Sequence, residues 1–279
     1  MSTAVTPTQS AGTDSFVTHL NGRPATADDL APLAFAGYAH FTAIQVRDRR
    51  VRGLDLHLAR LRSASQELFG RALPDDAVRA RLRAAVDAGP ADVSLTATVH
   101  SPAGEFTVDD PDLELDLLVR TAPPADGPRG PLALTTVAYE RPVAAIKHVG
   151  EIAKTYHLRR AVAEGFDDAA FVDRHGRLSE ATIWNLAFWD GEAVVWPRAD
   201  VLRGTMMSVV GRQLDGLGVP QRVEDVTPAD LPALSGAVVL NSWTPGVPVH
   251  RIDDVTLPEA PRFLDALRRA HAAEPLTAL

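Results

Sequence analysis

At 279 residues the chain is long enough for one large domain or two smaller ones. Hydrophobic residues make up 46% and charged residues 23%, as in ordinary soluble globular proteins, and the formal net charge of -8 argues against broad nucleic-acid binding and against docking on anionic membranes. Cysteine is absent, which excludes disulfides, thiolate metal sites and a cysteine nucleophile.

Residues 1–15 are rich in Ser, Thr and Ala and lack a basic patch followed by an apolar run. They read as a disordered lead-in and not as a secretory signal. No stretch approaches the ~20 apolar residues of a membrane span, so a cytoplasmic protein is expected. Alternation over His40–Arg47 predicts a strand. Apolar residues at helical spacing predict helices over Leu54–Leu68, ended by Gly70, and Asp75–Ala88, followed by Gly89. Strands follow over Asp92–His100 and Asp112–Thr121.

Ala122–Gly130 is Pro/Gly-rich and aperiodic, the signature of a linker. Beyond it come a strand over Leu132–Tyr139, a helix over Glu151–Glu164 and a hairpin of Ala169–Asp173 with Arg177–Ala181. A second hairpin, Leu186–Trp189 with Ala193–Trp196, turns at Asp190-Gly191. A helix over Gly204–Leu217, a buried strand over Ala237–Asn241 and a helix over Arg262–Ala273 complete the pattern. The fold expected is α+β in two domains: a small one over 16–121, a linker over 122–130 and a larger one over 131–279.

Of 28 Lys plus Arg residues only Lys147 and Lys154 are lysines. A chain biased toward arginine replaces a surface lysine easily, but not one used for its amine, because a guanidinium stays protonated and forms no imine. Lys147 follows a strand and precedes a helix, where partial desolvation lowers an amine's pKa and frees its lone pair. Lys154 shares a helix with Arg159 and Arg160 and reads as a solvated charge. Glu180, on a strand after a tight turn, is either a paired structural carboxylate or an anion facing a pyridine nitrogen. Arg60 is either a surface arginine or a bidentate phosphate clamp. Gly204-Thr205-Met206 opens a helix whose free N–H groups suit an anion, and Ser242 adds a hydroxyl donor nearby. All four tryptophans, Trp184, Trp189, Trp196 and Trp243, fall in the second half and read first as core.

From His40 to Val249 the chain resembles the class IV aminotransferases, which include branched-chain aminotransferases, D-amino-acid transaminases and aminodeoxychorismate lyases. The similarity rests on Ile146-Lys147-His148, then Asp167-Asp168-Ala169-Ala170-Phe171-Val172-Asp173, then His175-Gly176-Arg177-Leu178-Ser179-Glu180-Ala181-Thr182 and Asn185. The resemblance implies a fold-type-IV enzyme with a small N-terminal α/β domain and a larger pseudo-barrel C-terminal domain, a homodimer, and pyridoxal 5'-phosphate as cofactor. It implies Lys147 as the residue joined to the cofactor, Glu180 as the carboxylate at the pyridine nitrogen, and Arg60, Gly204, Thr205, Met206 and Ser242 as phosphate-side groups.

The chain departs from the family at Thr205-Met206, where Ile/Val-Thr is usual. It departs again at Gly150-Glu151-Ile152, where branched-chain enzymes carry a tyrosine, and in Val93–Val99, which holds no carboxylate-binding arginine. Asn241–Pro248 looks closer to the lyase pattern than to the Thr-Gly-Thr-Ala of the aminotransferases. The resemblance implies transfer of an amino group between an amino acid and a 2-keto acid, with Lys147 moving the Cα proton. The alternatives are an aminodeoxychorismate lyase releasing 4-aminobenzoate and pyruvate and, more distantly, a ligand-binding homologue without turnover.

Overall fold

The computed structural model describes residues 16–106, 110 and 112–279; the lead-in expected over 1–15 lies outside them. Two strands, β1 (Thr18–Leu20) and β2 (Arg23–Pro24), are followed by helix α1 (Ala27–Phe35), β3 (Ala39–Arg47), β4 (Arg50–Arg52), helices α2 (Leu54–Phe69) and α3 (Asp75–Asp87), β5 (Val93–His100) and β6 (Asp116–Ala122). Alternation in β3 buries Thr42, Ile44 and Val46 and leaves Phe41, Ala43, Gln45 and Arg47 on the opposite face. The buried face packs with Leu54, Leu58 and Leu61 of α2 and Val78 and Leu82 of α3 into one core. Gly70 ends α2 at φ 69°, a left-handed cap that suits glycine.

Residues 123–131 carry neither helix nor strand. The chain resumes with β7 (Leu132–Ala138), α4 (Ile152–Ala163), β8 (Asp168–Val172), β9 (Leu178–Ala181), β10 (Asn185–Trp189), β11 (Val194–Pro197), α5 (Thr205–Gly216), β12 (Gln221–Glu224), β13 (Gly236–Asn241), β14 (Thr244–Ile252), β15 (Val255–Thr256), α6 (Pro261–Ala273) and β16 (Leu276–Ala278). Both expected hairpins form, with Val172 opposite Leu178 and Phe188 opposite Val195.

The strands make two sheets. The first is antiparallel, in the order β16-β4-β3-β5-β6-β1-β2. The second runs β12-β11-β10-β13-β14-β7-β8-β9, and β9 returns to β10 through Glu180 opposite Asn185. That pairing closes β10, β13, β14, β7, β8 and β9 into a ring around a core of Leu134, Leu178, Leu186, Phe188, Val239 and Val247. A further core, with Phe263, Leu267, Val210 and Leu214, packs α5 and α6 against β10 and β13. No helix among the described residues is long and apolar enough to cross a membrane.

Several elements depart from the sequence expectation. The strand expected over 112–121 begins at Asp116. The stretch assigned to the second domain does not stay there: Leu276–Ala278 pairs with β4, and Leu279 is buried in the first core. β14 runs nine residues through Pro245, Gly246 and Pro248, residues that argue against a strand in isolation. Helix α1 carries Pro32 and buries no residue, so it leaves no apolar stripe to detect.

Candidate active site

The cavity between the two sheets is lined by residues from both. Its lysine is placed by an unusual pairing. β4 covers only Val46 and Arg47 of one edge of β3, and the segment between β7 and α4 takes part of the remainder. The Phe41 N–H donates to the Lys147 carbonyl at 2.8 Å, and the Val149 N–H to the Ala39 carbonyl at 3.0 Å. These bonds satisfy backbone groups that an open edge would expose and fix Lys147 against the first sheet. Its Nζ lies 4.9 Å from the centroid of the Phe41 ring. Burial, and then the cations Arg60, Lys154 and Arg141, pull the Lys147 ammonium down to about 7, with Glu151 opposing.

Glu180 stands where β9 meets β10 and is buried. Arg141 donates to it from Nη1 at 3.1 Å, to Glu151 from Nε, and to the carbonyls of Ala144 and Ile146 at 3.0 and 2.9 Å. Burial raises Glu180 to about 7, with Arg141 holding it back, while the two carboxylates raise Arg141. Lys154, on the first turn of α4, faces Glu151 at 3.4 Å.

Across the cavity, α5 begins at Thr205, and its first N–H groups have no partner within the helix. Asn185 braces this end: its Nδ2 donates to the Leu202 carbonyl at 2.7 Å, and its Oδ1 accepts from the Gly204 N–H at 3.1 Å. A Cβ on Gly204 would lie 2.0 Å from that oxygen, so the close approach requires glycine. Arg60 reaches over from α2 and donates to the Arg203 carbonyl at 2.8 Å. Burial, and then Arg141, lower it to about 10, which leaves it a cation at neutral pH.

Of the residues expected from sequence, Arg60, Lys147, Glu180, Gly204, Thr205 and Ser242 line this one cavity. Met206 does not. Its side chain packs with Val210 and Leu214 in the core beneath, so only its backbone N–H is available to an anion. Lys154, expected as a solvated charge, lines the cavity with its side chain 21% exposed. Trp184, which belongs to the core as expected, also lines it, as does Trp243, which is exposed and not core; their ring centroids lie 5.8 Å apart, edge to face. Sequence alone assigned no role to Arg141 or Glu151. Asn185 was legible as part of the motif but not as the brace of α5.

A family model described as Amino-transferase class IV matches residues 39–252. The chain belongs to that family. Among solved structures similar to this class IV chain is the branched-chain aminotransferase from Thermoproteus uzoniensis with norvaline, with a TM-score of 0.77 at 18% identity over 92% of this chain and 94% of that one. The branched-chain amino acid aminotransferase of T.th. complexed with N-(5'-phosphopyridoxyl)-L-glutamate gives 0.79 at 18%, over 94% and 97%. The 4-amino-4-deoxychorismate lyase from Pseudomonas aeruginosa gives 0.73 at 25%, over 91% and 98%. These likenesses place the chain in the fold-type-IV class. No curated protein matches its sequence significantly.

Proposed function

We propose that this chain is a pyridoxal-phosphate-dependent aminotransferase that moves an amino group between an amino acid and a 2-keto acid. One observation carries the reading: a half-buried lysine whose ammonium is pulled down to about 7 shares a cavity with a buried carboxylate and with an anion site made from a helix start and an arginine. The residues suit the cofactor. Arg60, Ser242 and the N–H groups at Thr205 and Met206 would hold the phosphate. Glu180, kept close to Arg141, would face the pyridine nitrogen, and Lys147 would hold the cofactor through its amine. When bound, pyridoxal phosphate supplies the electron-accepting ring that stabilises negative charge at the substrate Cα.

The protein supplies the rest. Desolvation keeps a share of the Lys147 amine unprotonated near neutral pH, ready as a nucleophile and then as the base that takes and returns the Cα proton. Arg141 fixes Glu180 in place and keeps negative charge on it against the cost of burial. Trp184 and Trp243 form part of the cavity wall. By family likeness we take the active species as a cytoplasmic homodimer, with 122–130 as the interdomain linker.

A visible spectrum with added pyridoxal phosphate tests the reading. A cofactor band that disappears in Lys147→Ala, is bleached by one amino acid and is restored by a keto acid identifies a transaminase; no band at all overturns the proposal. The second reading is an aminodeoxychorismate lyase. It is favoured by the Asn241–Val249 pattern and by the 25% identity to the Pseudomonas aeruginosa lyase. Release of 4-aminobenzoate from aminodeoxychorismate identifies it. A non-catalytic homologue is the least favoured reading, because Lys147 and Glu180 share the cavity.

A further inference from the structure

The two lysines of this arginine-rich chain share one cavity. Their Nζ atoms lie 4.9 and 5.8 Å from the centroid of the same Phe41 ring. The proposed function uses Lys147 and leaves Lys154 without a task. Glu151 does not fully occupy it: the 3.4 Å separation exceeds the ~2.7–2.9 Å of a charge-assisted hydrogen bond. Glu151 is also already met by the Nε of Arg141 on its other oxygen. An ammonium has three donors, so the capacity of Lys154 is not exhausted.

The balance of charge points the same way. The cavity carries four cations, Arg60, Arg141, Lys147 and Lys154, against the carboxylates Glu151 and Glu180. Arg141 is engaged by the two carboxylates, and Arg60 faces the start of α5. Once Lys147 is joined to the cofactor, the ammonium that remains on the Phe41 side is that of Lys154. An amino-acid substrate brings to Lys147 a carboxylate that needs such a partner. A cation held beside the ring, with donors to spare, can point at that anion.

We propose that Lys154 receives the carboxylate of the amino substrate and so determines that the site takes amino acids in preference to simple amines. This rests on the aminotransferase reading above. The test loads wild type, Lys154→Met and Lys154→Arg with pyridoxal phosphate and titrates each with matched pairs, alanine against ethylamine and phenylalanine against 2-phenylethylamine. The readout is the concentration that half-bleaches the cofactor band. Wild type is expected to prefer the acid of at least one pair by about 100-fold or more. Lys154→Met should cut that ratio at least tenfold through half-saturation, and Lys154→Arg should retain most of it.

A purely structural partner of Glu151 would weaken acid and amine together and leave the ratio unchanged, which overturns the proposal. So does a wild type without preference for the acid in either pair. If Lys154→Met does not load cofactor, Lys154→Gln, which keeps a donor toward Glu151, carries the same test. A wild type with no cofactor band overturns the functional reading and this proposal with it; a band with an unaltered ratio overturns only the role of Lys154.

Discussion

Arg141 donates to Glu180 at 3.1 Å, and both side chains are buried at the closure of the second sheet. Glu151 accepts from the same guanidinium. Removing the arginine leaves Glu180 buried without its cation and Glu151 with Lys154 and His148 only, and breaking a buried pair typically costs about 3–5 kcal/mol. Arg141→Met is therefore expected to lower the melting temperature markedly and, by favouring protonated Glu180, to weaken cofactor binding. The double variant Arg141→Met/Glu151→Gln should recover part of the stability but not the cofactor affinity. Thermal melts and a cofactor titration separate the two; equal recovery of both would refute a role for Arg141 in holding Glu180.

Lys147 offers a pH test. An amine lowered to about 7 by burial and neighbouring cations is mostly unprotonated from a little above about pH 7, where an ordinary lysine, near 10.5, is still charged. The rate of cofactor loading should climb with pH and level off a little above about 7. A rate still rising steeply at about pH 9 would show that the amine is not desolvated. Lys147→Arg keeps the charge but has no amine chemistry, and should lose the cofactor band and at least about 1000-fold in turnover.

How far the sequence led depends on the physics behind each residue. Helices α2 and α3 and the two hairpins announce themselves through local periodicity and turn dipeptides. Lys147 stands out because lysine is rare in this composition, and Lys147 and Glu180 together because their spacing matches a family pattern. Arg141 and the place of Lys154 in the cavity are not legible, because they depend on the return of the segment around His148 to β3, a contact between residues far apart in the chain. β16 is hidden for the same reason: three residues show no periodicity, and only the open edge of β4 makes them a strand.

Gly204 tests the anion site without touching a charge. Its φ of -59° is open to any residue, so the constraint is space alone: an added Cβ would lie 2.0 Å from the Asn185 oxygen. Gly204→Ala must displace Asn185, which holds both the Leu202 carbonyl and the Gly204 N–H. Affinity for pyridoxal phosphate is expected to fall at least tenfold, about 1.4 kcal/mol, with a smaller loss for pyridoxal lacking the phosphate. Equal losses for both would place the damage away from the phosphate.

The buried histidines of β3 and α2 make the fold sensitive to mild acid. His40 is paired with the Ser65 hydroxyl at 2.8 Å, and His57 with the Thr42 hydroxyl at 2.7 Å. Burial lowers His40 to about 4; burial and then Arg60 lower His57 to about 3, with Asp55 opposing. Folded-state values below the ordinary 6.5 mean that the unfolded chain takes up protons first. The stability is thus fully present above about pH 6.5 and lost as pH falls toward about 4, at up to about 1.4 kcal/mol per histidine per pH unit. Glu180, raised to about 7, acts in the opposite sense over part of this window, so variants must isolate the histidine share. Melting temperatures measured from about pH 7.5 to about pH 4.5 should fall less steeply in His40→Gln, which keeps a partner for Ser65, and in His57→Asn, which keeps one for Thr42. Slopes identical to wild type in both variants would remove His40 and His57 as the cause.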